Sequence, residues 1–212
     1  MRGGYVARFT SLIFGLVLFA LGIVLILESR LGLSPWDVLG LSEHTPLSFG
    51  MANVAVGVVV LLVGWALGGR PGVGTVANAV LVGTFIQAFT SIDAVTDLAH
   101  SGVGLRIVLL LAGTLLIGPA SAFYIGADLG AGPRDTLMLV GARRTGYRVG
   151  LVRATLEICA LAAGIVLGGT FGVGTVLFAL LVGPIVESSF GILARTPLAA
   201  ASPSLVPVVI AE

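Results

Sequence analysis

The chain has 212 residues, of which 57% are hydrophobic and 10% are charged, and its formal net charge is +1. Soluble proteins carry about 25% charged residues, so this composition excludes an ordinary water-soluble domain and predicts a surface that mostly faces lipid. The near-neutral charge gives no support to nucleic acid as a partner.

Six apolar runs are long enough to cross a bilayer, which takes about 20 helical residues. The first run is longer than the apolar core of a signal peptide, so we expect it to remain as a helix. None of the runs alternates as barrel strands do, and an open sheet would leave backbone groups unpaired in lipid. The sequence therefore predicts an all-α polytopic bundle of about six transmembrane helices. The runs lie at about 9–27, 47–68, 73–89, 107–127, 149–168 and 171–190.

The placement of arginines predicts the orientation of this bundle. If the N-terminus is cytoplasmic, nine arginines fall in cytoplasmic segments and only Arg30 and Arg106 fall in external ones. We therefore expect both termini to lie in the cytoplasm.

The two halves of the chain carry the same motifs in the same order. Residues 31–39 share five of nine positions with 129–137, and 69–90 share ten of 22 with 169–190. Three spans fall in each half, so the second half must enter the membrane from the opposite side. The sequence thus predicts two inverted three-helix repeats, an arrangement that many secondary transporters use.

The predicted domain organisation follows from the repeat. One transmembrane domain is expected over residues 1–191, with the first repeat at about 8–90 and the second at about 105–191. Residues 192–212 are rich in Ala, Ser and Pro, and we expect them to form a disordered cytoplasmic tail.

Three segments, LGLSPWDVL, LSFGMANVAVGVVVLL and RPGVGTVANAVLVGTFI, resemble in this order the pattern of the YczE/YyaS/YitT family of bacterial membrane proteins. The resemblance covers nearly all of residues 8–191. It implies an integral protein of the bacterial cytoplasmic (inner) membrane. Members are sometimes described with five spans, whereas six are counted here, and the resemblance carries over no catalytic or binding residue.

Polar residues at two matched helix breaks are the first site candidates. In SPWD, Ser34 suits an N-cap and Asp37 the third helical position, and Asp135 in GPRD repeats the pattern. Two interpretations remain open: the acids only cap helices, or the helix ends with Arg134 also bind an ion or substrate. Trp36 is interpreted as an interfacial anchor.

Glu157 is an acid inside the fifth span, about eight residues or roughly 12 Å from its start. Charged residues at such depth are functional candidates, and Arg153 lies four residues earlier on the same helical face. One interpretation is a local ion pair from which Arg153 extends outward to water. The other makes Glu157 a protonatable coupling site or Arg153 an anion contact.

Several other residues are secondary candidates. Asn53 suits a hydrogen bond between helices, and Gln87 and Glu187 occupy equivalent places in spans three and six, with Glu187 expected near an interface. Cys159, the single cysteine, is interpreted as a small buried apolar residue. Because no metal-ligand spacing and no GxSxG motif is present, the sequence predicts no metal, no cofactor and no enzyme.

The leading functional hypothesis is a small-molecule or ion transporter. A second hypothesis is a non-transporting accessory or scaffold protein for another complex, and a third is the substrate-binding subunit of a multi-component vitamin-type transporter. The expected partners are the lipid bilayer and an unknown small molecule or ion, and a second copy or another protein is a further candidate partner. The proposed pathway residues are Asp37, Arg134, Asp135, Arg153 and Glu157.

Overall fold

The structure is a computed structural model that describes residues 4–40 and 49–196, and in these ranges every regular element is a helix. The predicted fold class, a helical membrane bundle, is confirmed. A short 3₁₀ turn, Asp97–His100, follows the fifth helix. The helices are α1 Gly4–Ser29, α2 Pro35–Gly40, α3 Phe49–Ala66, α4 Val73–Thr90, α5 Asp93–Thr96, α6 Val103–Gly126, α7 Pro133–Thr145, α8 Val149–Val166 and α9 Val173–Ala194.

Five helices are long and apolar enough to cross a membrane, namely α1, α4, α6, α8 and α9. They match five of the six predicted spans. The sixth, expected at about 47–68, corresponds to α3, whose fully described part, Ala55–Ala66, is apolar but shorter. Helix α9 extends to Ala194, beyond the predicted end of the last span, and residues 197–212 of the expected tail lie outside the described residues.

Helices α1 and α6 run antiparallel and form the closest helix pair. Each begins near an arginine whose guanidinium donates to the last carbonyl groups of the other helix. Small residues let the backbones approach, since a Cβ on Gly113 would lie 2.6 Å from the carbonyl oxygen of Gly22. The arginine contacts are Arg8 to Ala127 O and Asp128 O, and Arg106 to Ser29 O and Arg30 O.

The two helix breaks produce the short helices α2 and α7, which begin at Pro35 and Pro133 as the sequence predicts. Proline suits a first helical position because its missing N–H would have no partner there. The short helices pack crosswise between the halves of the chain: α2 lies against α8, and α7 lies against α3. As a result of this packing, residues from both helix breaks lie close together.

Large apolar side chains cover the outer faces of the bundle, where they would meet lipid. Cys159 is on such a face of α8, next to the exposed Ile158, so the prediction that Cys159 is buried is wrong. The buried face of α8 instead carries its charged residues, Arg153 and Glu157.

Candidate functional site

Three charged side chains are buried together where α7 meets α8. Asp135 and Arg153 are each 3% exposed, and Glu157 is fully buried. Arg153 Nη1 donates to Asp135 Oδ1 at 2.5 Å, and Arg153 Nε lies 3.0 Å from Glu157 Oε1. One guanidinium therefore stands between two carboxyl groups, which we call the acid–arginine cluster.

Local structure explains this placement. Arg153 and Glu157 are one helical turn apart on α8, so both point from the same face. Asp135 is the third residue of α7 and reaches them from the side. The hypothesis that Arg153 extends outward to water is wrong, because its side chain is buried beside Asp135. The carboxyl of Asp135 accepts hydrogen bonds from two side chains, those of Arg153 and Tyr124.

Tyr124 on α6 completes the cluster and was not among the sequence candidates. Its hydroxyl donates to Asp135 Oδ2 and accepts the N–H of Gly132 at 3.4 Å. The ring of Phe19 contacts the Tyr124 ring edge-on, with centroids 5.9 Å apart. A lone tyrosine inside an apolar run resembles any packed aromatic residue, so the sequence held no signal for this role.

Four polar atoms in this region are buried without a hydrogen-bond partner among the described residues. Two are the oxygens of Glu157, since its contact with Arg153 does not have hydrogen-bond geometry. The other two are Arg153 Nε and the indole Nε1 of Trp36. An unpaired buried polar group costs free energy. A change of protonation or of side-chain position would reduce that cost in this part of the cluster.

Residues from both helix breaks flank the cluster. Arg134 Nη2 lies 3.5 Å from Asp37 Oδ1, and the Arg134 guanidinium carbon is 5.5 Å from the centre of the Trp36 ring. Ser34 Oγ donates to Asp37 Oδ2 at 2.6 Å. The Asp37 and Arg134 side chains are partly exposed, whereas the acid–arginine cluster behind them is closed.

Trp36 is buried, with only 6% of its surface exposed, so its interpretation as an interfacial anchor is wrong. It packs with Val60 of α3 and Ala160 of α8, and Leu156 borders the same group. This position places the indole between the two halves, beside the helical turn that carries Glu157.

The glycine-rich turns before α4 and α9 position the two breaks. Gly74 N–H donates to Leu129 O at 2.6 Å, and Gly174 N–H donates to Leu31 O at 2.9 Å. Thr75 adds a hydrogen bond from Oγ1 to Ala131 O at 2.7 Å. Each glycine-rich turn therefore supports the break in the opposite half of the chain.

Two of the secondary candidates, Glu187 and Gln87, lie away from the cluster. Glu187 pairs with the exposed Arg148 at 2.6 Å and accepts the N–H of Gly150 at 3.1 Å. Gln87 is exposed on α4. The side chain of Asn53 lies outside the described residues.

An open cleft of about 700 Å³ lies beside α7. The turn 68–72 and the loop 128–131 form two of its walls, and Thr136 and Arg143 of α7 line it. In the described part of the chain, no group of three or more His, Cys, Asp or Glu residues is arranged to hold a metal ion.

The fold and the buried charges define a multi-pass helical membrane protein with a charged cluster at the meeting point of two broken helices. Residues 6–189 match DUF6198, described as a family of unknown function, and the chain belongs to this family.

Curated relatives agree with this assignment. The chain is 37% identical over 195 residues to the "Uncharacterized membrane protein YczE" of Bacillus subtilis, covering 89% of this chain and 88% of the relative. It is 37% identical over 188 residues to an "Uncharacterized protein" of Haemophilus influenzae, covering 88% and 84%. It is 28% identical over 186 residues to the "Uncharacterized protein YyaS" of Bacillus subtilis, covering 83% and 92%. The resemblance to YczE and YyaS is thus confirmed, and no solved structure matches the chain.

Proposed function

We propose that this protein is a transporter of a small molecule or ion in the bacterial cytoplasmic membrane, with its pathway at the acid–arginine cluster. One observation carries the proposal. Two separate helix breaks, 98 residues apart, bring Asp37, Trp36 and Arg134 together in front of three buried charged side chains. Broken helices that meet inside a bundle are typical of transporter binding sites.

An inverted repeat is the second part of the proposal. It is supported by reciprocal contacts, in which the Gly72–Thr75 turn contacts 129–131 and the Gly172–Thr175 turn contacts 31–32. Helices α1 and α6 fit the same relation, because they are antiparallel and the carbonyl groups at the end of each accept hydrogen bonds from an arginine of the other. Trp36 and Arg134 occupy equivalent places after the two breaks and contact each other, as expected near a pseudo-twofold axis.

The buried charges favour transport over a purely structural role. An isolated buried ion pair stabilises a protein little more than apolar packing of the same volume would. Here three charged groups occupy the membrane domain and leave polar atoms unpaired, an arrangement that is costly unless it serves a function. The partly exposed Asp37–Arg134 pair would form the entrance to this closed region.

Alternating access can be tested before any substrate is known. Thr136 lines the cleft, and Val38 is its counterpart 98 residues earlier; both are buried. We expect Thr136→Cys and Val38→Cys, each in a Cys159→Ser background, to react with a membrane-impermeant thiol reagent from both sides. Labelling would be compared in intact cells and in inside-out vesicles.

Native Cys159 provides the matched control, because it is on a lipid-facing surface of α8 and should resist a charged reagent from either side. Labelling of each introduced cysteine from one side only would contradict alternating access. That outcome would favour an accessory or scaffold protein.

The same reagent tests the proposed orientation, in which both termini are cytoplasmic. Asp97 lies between α4 and α6, and Arg144 lies near the end of α7; both are exposed. Asp97→Cys should react in intact cells, and Arg144→Cys only in inside-out vesicles. The reverse pattern would overturn the orientation but not the fold.

A further inference from the structure

The acid–arginine cluster contains one more acid than base. Asp135 and Glu157 share Arg153, and the next cation, Arg134, lies against Asp37. If both shared acids were ionised, the buried cluster would carry one uncompensated negative charge. Such a charge is strongly disfavoured in a low-dielectric interior.

The hydrogen bonds distinguish the two acids. Asp135 accepts one bond from Arg153 and one from Tyr124, so both of its oxygens have a donor. Glu157 is fully buried, yet neither of its oxygens accepts a hydrogen bond of good geometry, and its contact with Arg153 is through Nε alone, at 3.0 Å. Asp135 is therefore the acid equipped to remain ionised, and Glu157 is the acid that needs a positive charge from elsewhere.

We propose that Glu157 is a proton-binding site, protonated while the cluster is closed and deprotonated when the Trp36 side of the cluster opens. The inference rests on the transport function proposed above and names its coupling ion. In the exchange step the O–H bond of the Glu157 carboxyl breaks, the proton passes to water, and the carboxylate remains.

Two donors are available for that carboxylate. Trp36 Nε1 and Arg153 Nε are buried beside Glu157, and neither makes a hydrogen bond of good geometry, although Arg153 Nε lies only 3.0 Å from Glu157 Oε1. A small movement would let these N–H groups donate to an ionised Glu157. The site can thus hold either form of the acid, which a proton carrier requires.

The groups around Glu157 favour a proton over a metal ion. The charged groups that act on it are Arg153 on its own helix and Arg134 and Asp135 on α7. Asp37 on α2 and Tyr124 on α6 lie one contact further away, against Arg134 and Asp135 respectively. Helix α3 contributes the apolar Val56 and Val60 to this region. A metal ion prefers several oxygen ligands, whereas the two oxygens without a donor belong to a single carboxyl.

The native tryptophans provide a direct test on the full-length protein. Trp36 is buried beside the cluster, and Trp65, the only other tryptophan, is 61% exposed. In purified Trp65→Phe protein in lipid nanodiscs, Trp36 fluorescence should change with pH in a single transition. Adding Glu157→Gln should abolish that transition, because glutamine keeps the size of the side chain but cannot titrate.

Asp135→Asn in the same background is the matched control, and helical circular dichroism would confirm that each variant is folded. The proposal expects the transition to move to lower pH in Asp135→Asn, because Arg153 then serves Glu157 alone, and to disappear in Glu157→Gln. A transition that persists in Glu157→Gln, or no transition in folded Trp65→Phe protein, would overturn it. Infrared spectra of the same samples should show the C=O stretch of a protonated carboxyl below the transition, and this band should be absent in Glu157→Gln.

The titration would be repeated in sodium, potassium and choline chloride at equal ionic strength. A midpoint that is the same in all three salts supports a proton site. A midpoint that moves with sodium or potassium alone would assign the site to that metal ion and overturn the proposal. Failure of this test removes the proton step only, whereas one-sided cysteine labelling would remove transport itself.

Discussion

The two halves of the chain share their framework but differ in their buried charges. Both contain a break with Gly, Pro and Asp, a glycine-rich turn that contacts the other half, and an arginine that clamps the opposite helix end. In the second half, α8 carries Arg153 and Glu157. The residues 100 positions earlier, on α3, are Asn53 and Gly57.

This difference separates the features that maintain backbone geometry from the charged residues that form the cluster. The shared features maintain backbone geometry, so both halves need them equally. The charged residues form one cluster, contributed mainly by α7 and α8, with α2 of the first half completing it through Asp37 and Trp36. The comparison thus predicts equal effects for matched framework variants and large, unequal effects for variants of the cluster.

The largest effect is expected for Arg153→Met, which keeps much of the side-chain volume and removes the charge between the two buried acids. Breaking a buried ion pair from one side costs about 3–5 kcal/mol. The thermal midpoint of the purified protein in one detergent should fall sharply. The drop should be smaller when Asp135→Asn or Glu157→Gln is added, because fewer buried charges are then left unpaired.

Arg148→Met is the control, because Arg148 forms its ion pair with Glu187 near the protein surface, where its side chain is 69% exposed. Exposed pairs contribute about 0–1 kcal/mol, so this variant should stay close to the wild type. Equal losses for Arg148→Met and Arg153→Met would show that the cluster does not differ energetically from a surface pair.

Intermediate and matched effects are expected at the glycine turns. A Cβ at Gly72 would lie 2.4 Å from Leu129 O, and a Cβ at Gly172 would lie 2.2 Å from Leu31 O. Gly72→Ala and Gly172→Ala should each lower stability by about 1–3 kcal/mol, the usual range for overpacking. Gly83→Ala on α4 is the control, because a Cβ there would meet nothing within 4 Å.

A large loss of stability in only one of the two turn variants would contradict the predicted equivalence of the two halves. It would mean that one turn supports the fold while the other merely connects two helices. The thermal midpoints of all three alanine variants, measured under the same conditions, decide this point.

The sequence was sufficient for the features that depend on local chemistry. Apolar runs gave the helices, Pro35 and Pro133 gave the starts of the short helices, and the i,i+4 spacing gave the Arg153–Glu157 pair. These features follow from residue type and spacing alone.

The rest depends on which faces of the helices pack together, and uniformly apolar helices give little sign of this. Cys159 and Ala160 are neighbours on α8, yet one is exposed and the other buried. Trp36 has the amphipathic side chain of an interfacial anchor but fills a gap between the halves. The Tyr124–Asp135 bond joins different helices across a loop, so no periodicity in the sequence could indicate it.

The smallest effect on stability is expected for the arginine clamps, our name for the contacts of Arg8 with the end of α6 and of Arg106 with the end of α1. These variants are also the most informative about mechanism. Arg8→Met removes donors to the end of α6, and Arg106→Met removes donors to the end of α1. A cation at helix-end carbonyls contributes about 1 kcal/mol, so both variants should lose stability by similarly small amounts. Arg8 also lies 3.4 Å from the Asp128 carboxylate, although that side chain is 46% exposed.

The two clamps lie at opposite ends of the α1–α6 pair, so their loss should have opposite effects on access. Asp128 belongs to both the Arg8 clamp and the wall of the cleft that contains Thr136. Arg8→Met should therefore speed labelling of Thr136→Cys from the expected cytoplasmic side. Arg106→Met should speed labelling of Val38→Cys from the outside. If both clamp variants change labelling at the same end, the two halves are not mechanically equivalent, and their likeness is confined to the packing of the backbone.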